Sequence, residues 1–339
     1  MKHRRLIRKQ KGQSSPTNMG RRRVLFGMTA MSLVTVADKV HGDTPFPATI
    51  RHAFGVTNVS REPVRVVTLG WGGEDAVIAL GKVPIAMTRY PYWQSGIADW
   101  NMAGIGASKP VLLGNSLDFE MIALLKPDLI LAVFSGIDAL AYKRLSRIAP
   151  VVTFEKAPWS ADWKAQMRLA GRALGRVSAA QNLINNTEEK LDFLCRKYPN
   201  LQNKTAALVA HFPMQAGIDV YLDGDTRFDL LKSLGLVTPN TIAGLGRADR
   251  GRYSVSIGLE RVDIIDADVI VGWFGHGLHA AIKAQPILAT VPAIKNGQVV
   301  TLDSPDEIWS VLSPTAPSIL QGYPQLVKRI SEVLARTFL

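Results

Sequence analysis

Short apolar runs alternate with helical stretches from residue 63 onwards. Residues that break regular secondary structure flank these apolar runs. The first four runs predict strands at residues 65–69, 83–87, 129–134 and 151–154. Between them, the spacing of apolar positions predicts helices at residues 74–80, 117–125 and 142–148. Continuous apolar runs between breakers favour buried parallel strands. Their alternation with helices predicts an α/β lobe over residues 63–157.

The pattern changes over residues 158–200, and strand signals are missing from residues 160–197. Apolar residues recur there at close to helical spacing, which predicts a long connecting helix that can break near Gly175. The alternation of strands and helices then resumes over residues 201–339. We therefore expect an α/β protein of two lobes, with parallel-type central sheets joined by a long connecting α-helix. Residues 38–62 are expected to form an irregular lead-in.

One unit occurs in both predicted lobes. A short helix carries a glutamate and is followed by an apolar strand that begins with Asp. Residues 117–131 form this unit in the first lobe, with Glu120, and residues 257–271 form it in the second, with Glu260.

Most of the formal net charge of +12 lies in the first 37 residues, which carry nine Lys or Arg and no acid. The remainder has 31 basic against 28 acidic residues, so the charge does not indicate a nucleic-acid partner. Arg21, Arg22 and Arg23 precede an apolar run of about 14 residues that ends in the small residues of 35–37. This layout predicts a signal peptide over residues 1–37 and a periplasmic protein. The arginines favour the twin-arginine route over Sec export, and a basic N-terminal helix on a cytoplasmic protein is the alternative.

Chain length and cysteine content further limit the kind of protein that the sequence can encode. The chain has 339 residues, 47% of them apolar, which suits two globular lobes. Cys195 is the single cysteine, so an intrachain disulfide is excluded, and it is too far along the chain to carry a lipid anchor.

A set of motifs in a fixed order resembles the helical-backbone class of periplasmic binding proteins, which serve ferric siderophores, haem and cobalamin. The resemblance covers residues 63–335 and rests on residues 65–69, Glu74, 80–84, 117–120, 125–130 and 255–262. Within the class, Trp71, residues 147–150, residues 255–257 and Trp309 are similar to the ferric hydroxamate type.

The resemblance implies a carrier with a ligand cleft between its lobes and limited closure. Such a carrier delivers a ferric siderophore to an inner-membrane ABC permease. We expect a monomer without catalytic activity and without a cofactor, since iron enters only within the ligand. Three positions depart from the hydroxamate pattern, namely Gly106, Ile137 and Arg250, so haem and cobalamin remain alternative ligands.

Aromatic and basic residues follow the predicted strands, where the loops of an α/β sheet bind ligands. We expect the ligand to contact Trp71, Arg89, Tyr90, Trp93, Arg250, Arg252, Trp273, His276 and Trp309. Each aromatic residue alone could be a packing residue, but one in nearly every such loop favours a cleft lining. The guanidinium groups of Arg247, Arg250 and Arg252 suit carboxylate or catecholate oxygens, with a solvated basic loop as the alternative.

Glu120 and Glu260 are the predicted docking residues. In the family, matching glutamates face arginine pockets on the permease, and a carboxylate on each lobe can dock a dimeric transporter by complementary charge. Ordinary exposed helix surface is the alternative for both.

An exported α/β hydrolase or esterase that acts on iron chelates is the competing function. Ser135 follows a predicted strand, but the glycine that should precede a nucleophile in an elbow is missing. His276 and His279 have neither a cysteine nor a carboxylate nearby, so no metal site is expected. The glycines at 70, 72 and 73 are spaced wrongly for a dinucleotide fingerprint.

Overall fold

The computed structural model describes residues 45–336, apart from residues 115, 213–214 and 249–251. The predicted signal peptide and Arg250 lie outside the described residues. Within the described part of the chain, every helix is too short or too polar to cross a membrane.

A β-hairpin precedes the first lobe. Strands β1 (Ala48–His52) and β2 (Gly55–Val59) pair antiparallel, so the prediction of an irregular lead-in is wrong over this segment. Ile50 and His52 are buried whereas Thr49 is not, an alternation that a half-buried strand requires. The hairpin hydrogen-bonds the first lobe, because the Thr57 hydroxyl donates to the Val151 carbonyl at 2.6 Å.

The first lobe is an α/β lobe, as predicted, but its sheet has five strands rather than the four that the sequence predicted. Its elements in chain order are β3 (Val66–Thr68), α1 (Gly73–Ala79), β4 (Ala86–Thr88), α2 (Asp99–Ile105), β5 (Val111–Leu113), α3 (Phe119–Leu124), β6 (Leu129–Ala132), α4 (Ala139–Leu145) and β7 (Val151–Thr153). All strands are parallel, in the order β5-β4-β3-β6-β7. The strand order reverses between β3 and β6, and ligands bind at such a reversal, outside the carboxyl ends of the strands.

Two helices connect the lobes. They are α5 (Trp163–Ala173) and α6 (Val177–Lys197), and the break expected near Gly175 is confirmed, because that glycine has a left-handed φ of 65°. The 21 residues of α6 span about 31 Å at 1.5 Å per residue. A helix of this length resists bending, which favours limited motion between the lobes.

The second lobe repeats the strand order of the first. Its elements are β8 (Ala206–Ala210), β9 (Gly217–Tyr221), α7 (Thr226–Lys232), α8 (Asn240–Ala243), β10 (Ser254–Gly258), a 3-10 helix (Leu259–Ile264), β11 (Val269–Trp273), α9 (Leu278–Ala284), a 3-10 helix (Pro286–Thr290), α10 (Pro292–Lys295) and β12 (Val299–Thr301). The order is β10-β9-β8-β11-β12, but β9 is antiparallel to both neighbours. Only a short loop joins β8 to β9, and a parallel pair needs a longer crossover. The second sheet is therefore mixed rather than parallel.

The C-terminal helices leave the second lobe. They are α11 (Pro305–Leu312) and α12 (Ala316–Ala335), each begun by a capping box. Helix α12 packs against β12 but also against α1, α2 and α5 of the first part of the chain. The boundary expected at residue 201 therefore does not separate the lobes cleanly, because the last helices cover both.

Candidate functional site

A cavity of about 460 Å³ opens at the carboxyl ends of the strands in the first lobe. Its lining comes from the loops that follow β3, β4, β5 and β6, together with Trp159 after β7 and Trp309 on α11. We name it the aromatic cavity. The cavity thus lies at the point where the strand order of the sheet reverses, as expected for a ligand site.

Gly70 forms the floor of this aromatic cavity and allows two loops to meet. Its φ is 85°, and a Cβ atom there would lie 2.3 Å from the Phe134 carbonyl oxygen. The next residue, Trp71, donates its backbone N–H to the same carbonyl at 2.9 Å. Gly70 therefore allows the loop after β3 to approach the backbone at Phe134 closely beneath the cavity.

Aromatic rings form one wall of the cavity. The Trp309 ring lies edge-on to Trp71 and to Tyr90, with centroids 4.9 Å apart in both pairs. Tyr92 is 5.7 Å from Trp309, and Trp159 is 4.8 Å from Trp71. Edge-to-face pairs at these distances stabilise each other and hold the wall in one arrangement.

Of the residues expected to contact a ligand, Trp71, Arg89, Tyr90 and Trp309 line this cavity. Trp93 is buried behind the wall, where its indole N–H donates to Asp306 at 3.0 Å. It therefore supports the wall and does not line the cavity.

The expected second-lobe residues lie elsewhere. Trp273 ends β11 and packs edge-on against Phe212 at 4.8 Å, and His276 is exposed in the following turn. Neither lines the aromatic cavity. Arg252 lines a separate cavity of about 280 Å³ between the loop after β7 and the loops before α7 and β10.

Trp159 is a lining residue that the sequence prediction missed. It borders both cavities, although residues 158–200 were assigned to the connecting helix. The sequence did contain the criterion used for the other lining residues, because Trp159 comes shortly after strand β7, as Trp71 comes shortly after β3. The predicted helix begins only at Trp163 in the structure, so the intervening loop was free to carry a site residue.

Two buried carboxyl groups lie beneath the aromatic wall. Burial, with a smaller contribution from the charge of Asp75, raises the pKa of Glu74 from 4.5 to about 8. Burial also raises the pKa of Asp75, against three donors that favour its charged form: the Thr315 hydroxyl at 2.6 Å, Trp100 Nε1 at 2.8 Å and the Asn101 amide at 2.6 Å. With a pKa of about 8, Glu74 holds its proton near neutral pH.

Ser135 lines the aromatic cavity but is not arranged as a nucleophile. Its hydroxyl is buried and donates to the Ala132 carbonyl at 2.8 Å. Among the described residues, no histidine bonds to it, and a nucleophilic serine requires a base within hydrogen-bond reach. His276 and His279 are exposed, and the described residues contain no group of three side chains suited to holding a metal ion.

Glu120 and Glu260 occupy matching positions in the two lobes. Glu120 is the second residue of α3, which precedes β6, and Glu260 is the second residue of the 3-10 helix that precedes β11. The short helix expected at the start of the second unit, residues 257–271, is instead the end of β10 followed by a 3-10 helix, in which Arg261 departs from helical φ/ψ. Both glutamates are exposed, as expected of docking residues.

Comparison with known proteins finds a matching family model and siderophore-binding relatives. The family model described as "periplasmic binding protein" matches residues 66–305. A probable siderophore-binding lipoprotein of Bacillus subtilis, YfiY, is 28% identical over 227 residues, which are 66% of this chain and 67% of that protein. The achromobactin-binding periplasmic protein of Dickeya dadantii is 28% identical over 225 residues, 61% of this chain and 66% of the relative.

Solved structures share the whole fold. PiaA of Streptococcus pneumoniae, solved in complex with ferrichrome, superposes with a TM-score of 0.74 at 28% identity. The match covers 85% of this chain and 99% of PiaA.

Proposed function

Because the chain belongs to the periplasmic binding protein family, we propose that it is the substrate-binding component of an ABC importer for a ferric siderophore of the hydroxamate type. The observation that carries this proposal is the aromatic cavity at the strand reversal of the first lobe. PiaA, which shares the fold, binds ferrichrome, a ferric hydroxamate.

The charge of the cavity supports a hydroxamate. Its charged lining among the described residues is one cation, Arg89, and one carboxylate, Asp118, so the two nearly cancel. Three hydroxamates neutralise Fe³⁺, whereas three catecholates leave a chelate with three negative charges. Burying such an anion without paired cations is costly. A neutral chelate is therefore the better match for this cavity.

Trp71, Tyr90 and Trp309 supply the apolar contact surface, and Arg89 supplies donors for the oxygens around the iron. The protein's task is binding rather than chemistry, since the hydroxyl of Ser135 is engaged with its own strand. Iron enters only as part of the ligand, so no resident cofactor is required.

Delivery of the ligand to the permease is assigned to the two exposed glutamates. In this proposal the protein is a periplasmic monomer, and Glu120 and Glu260 seat one lobe each on the inner-membrane permease. Neither has an ion-pair partner among the described residues, so both carboxylates are available for cations on the transporter.

Titration of the purified protein followed by tryptophan emission tests the proposal. Ferrichrome should quench tryptophan emission saturably, because its iron would lie against the indole rings of Trp71, Trp159 and Trp309. Iron-free ferrichrome, a ferric tris-catecholate, haem and cobalamin provide the comparison. Trp71→Ala should weaken ferrichrome binding at least about tenfold, since it removes a large part of the contact surface. Phe193→Ala, an exposed aromatic on α6, is the matched control and should bind normally. Absence of saturable quenching by every iron chelate would contradict the function.

A further inference from the structure

A second cavity of about 280 Å³ lies on the other side of Trp159 from the aromatic cavity. We name it the basic cavity; its lining comes from residues 156–160, 224–226, 248 and 252–253. One side is the loop after β7 in the first lobe and the other side belongs to the second lobe. The basic cavity is thus a part of the cleft that both lobes form.

Its charge differs from that of the aromatic cavity. Lys156 and Arg252 line it, and neither has an ion-pair partner among the described residues. The side chain of Arg252 makes one hydrogen bond there, to the Leu245 carbonyl at 3.1 Å, which leaves further guanidinium donors for a ligand.

The single carboxylate in the lining is already neutralised. Asp225 accepts two hydrogen bonds from the Arg227 guanidinium, at 2.8 and 2.7 Å, and both side chains are almost fully buried. The guanidinium carbon lies 4.6 Å from the ring centroids of both Tyr221 and Tyr253, so the ion pair is held rigidly. Because this pair is neutral, Lys156 and Arg252 give the described lining its net positive charge.

The uncommitted polar side chains of the lining can all donate hydrogen bonds. Thr226 carries a buried hydroxyl without a hydrogen-bond partner among the described residues. With the Lys156 ammonium and the Arg252 guanidinium, it forms a set that suits a ligand group made only of acceptors. A carboxylate is such a group, and it matches the guanidinium fork.

Trp159 connects the two cavities and its backbone is strained. Its φ of 60° is unusual for a bulky residue, and such strain gathers at ligand sites. A Cβ at Gly136 would lie 2.8 Å from the Trp159 indole nitrogen, so that glycine makes room for the ring. A chelate that fills the aromatic cavity and contacts Trp159 therefore has the basic cavity within reach.

From these observations, and resting on the proposed function, we infer that the basic cavity takes a free carboxylate arm of the siderophore. The ligand is then a ferric hydroxamate with a neutral iron centre in the aromatic cavity and a carboxylate that does not bind iron. Lys156, Arg252 and Thr226 hold that arm.

Two chelates that differ only in this arm test the inference. The ferric complexes of N-acetyl and N-succinyl desferrioxamine B share one neutral trihydroxamate centre, and only the second ends in a carboxylate. Wild-type protein should bind the succinylated chelate about tenfold more tightly, as expected for charge-assisted hydrogen bonds. The double variant Lys156→Gln, Arg252→Gln should lose this preference and keep its affinity for the acetylated chelate within about twofold. The double variant Lys143→Gln, Lys283→Gln removes two exposed cations outside both cavities and should behave as wild type.

The outcomes separate the inference from the proposed function. Equal affinity of the wild type for both chelates overturns the inference, as does a preference that the Lys156 and Arg252 variant retains. Binding of ferrichrome with rejection of the succinylated chelate also overturns it, while the proposed function stands. Failure to bind ferrichrome and both other chelates contradicts the proposed function itself.

Discussion

Replacing Glu74 by glutamine should change how the stability of the protein depends on pH. Burial raises the pKa of this carboxyl from 4.5 to about 8, so the folded chain holds the proton more tightly than the unfolded chain. The favourable contribution is complete below about pH 4.5 and is lost as pH rises towards 8. Each pKa unit corresponds to about 1.4 kcal/mol, so the loss amounts to about 3 kcal/mol between about pH 5 and pH 7.5.

Urea unfolding at a series of pH values, followed by tryptophan fluorescence, measures this effect. Glu74→Gln keeps the shape of the protonated side chain but cannot ionise, so the variant should lose about 3 kcal/mol less than wild type over the same range. Glu189→Gln, at an exposed glutamate of α6, is the control and should follow the wild-type profile. Parallel profiles for wild type and the Glu74 variant would refute the reasoning, because the buried carboxyl would then titrate as it does in the unfolded chain.

Three further substitutions test other parts of the structure. Gly70→Ala forces a Cβ against a neighbouring backbone carbonyl at a left-handed φ, and should lower the free energy of unfolding by about 2 kcal/mol and weaken ferrichrome binding; unchanged stability would contradict the close approach. Asp225→Asn leaves the buried Arg227 charge uncompensated and should cost about 3 kcal/mol or more in urea unfolding, whereas a loss below about 1 kcal/mol would show that the pair is not buried. Reversing charge at both Glu120 and Glu260 should reduce siderophore-dependent growth more than either single change while ligand affinity stays near wild type; full growth of the double variant would refute docking through these residues.

Local pattern was enough to predict both lobes, although the helix of the second repeated unit is in fact the end of β10 and a 3-10 helix. Buried parallel strands require continuous apolar runs, and such runs stand out in a sequence. The same logic found Glu120 and Glu260, since each precedes an Asp-led apolar strand. The hairpin at residues 48–59 was missed because its two short strands follow prolines and owe part of their stability to hydrogen bonds with β7, which no local pattern reveals.

The candidate site was predictable only in part. Trp71 and Tyr90 follow strands of the first lobe directly, so their place at the cavity follows from topology. Trp309 was also predicted to contact the ligand. Its position beside Trp71 of the first lobe, however, depends on the packing of α11 and α12 across both lobes. Glu74 lies in the first turn of a helix, where acidic residues are ordinarily solvated, and its burial is a tertiary effect.

A crystal structure of the protein grown with ferrichrome, with anomalous diffraction recorded at the iron edge, tests the central claim most directly. The account predicts one iron peak per chain inside the aromatic cavity, with the chelate against Trp71, Tyr90 and Trp309. An iron peak outside that cavity, or crystals with no bound iron at saturating ferrichrome, would contradict it.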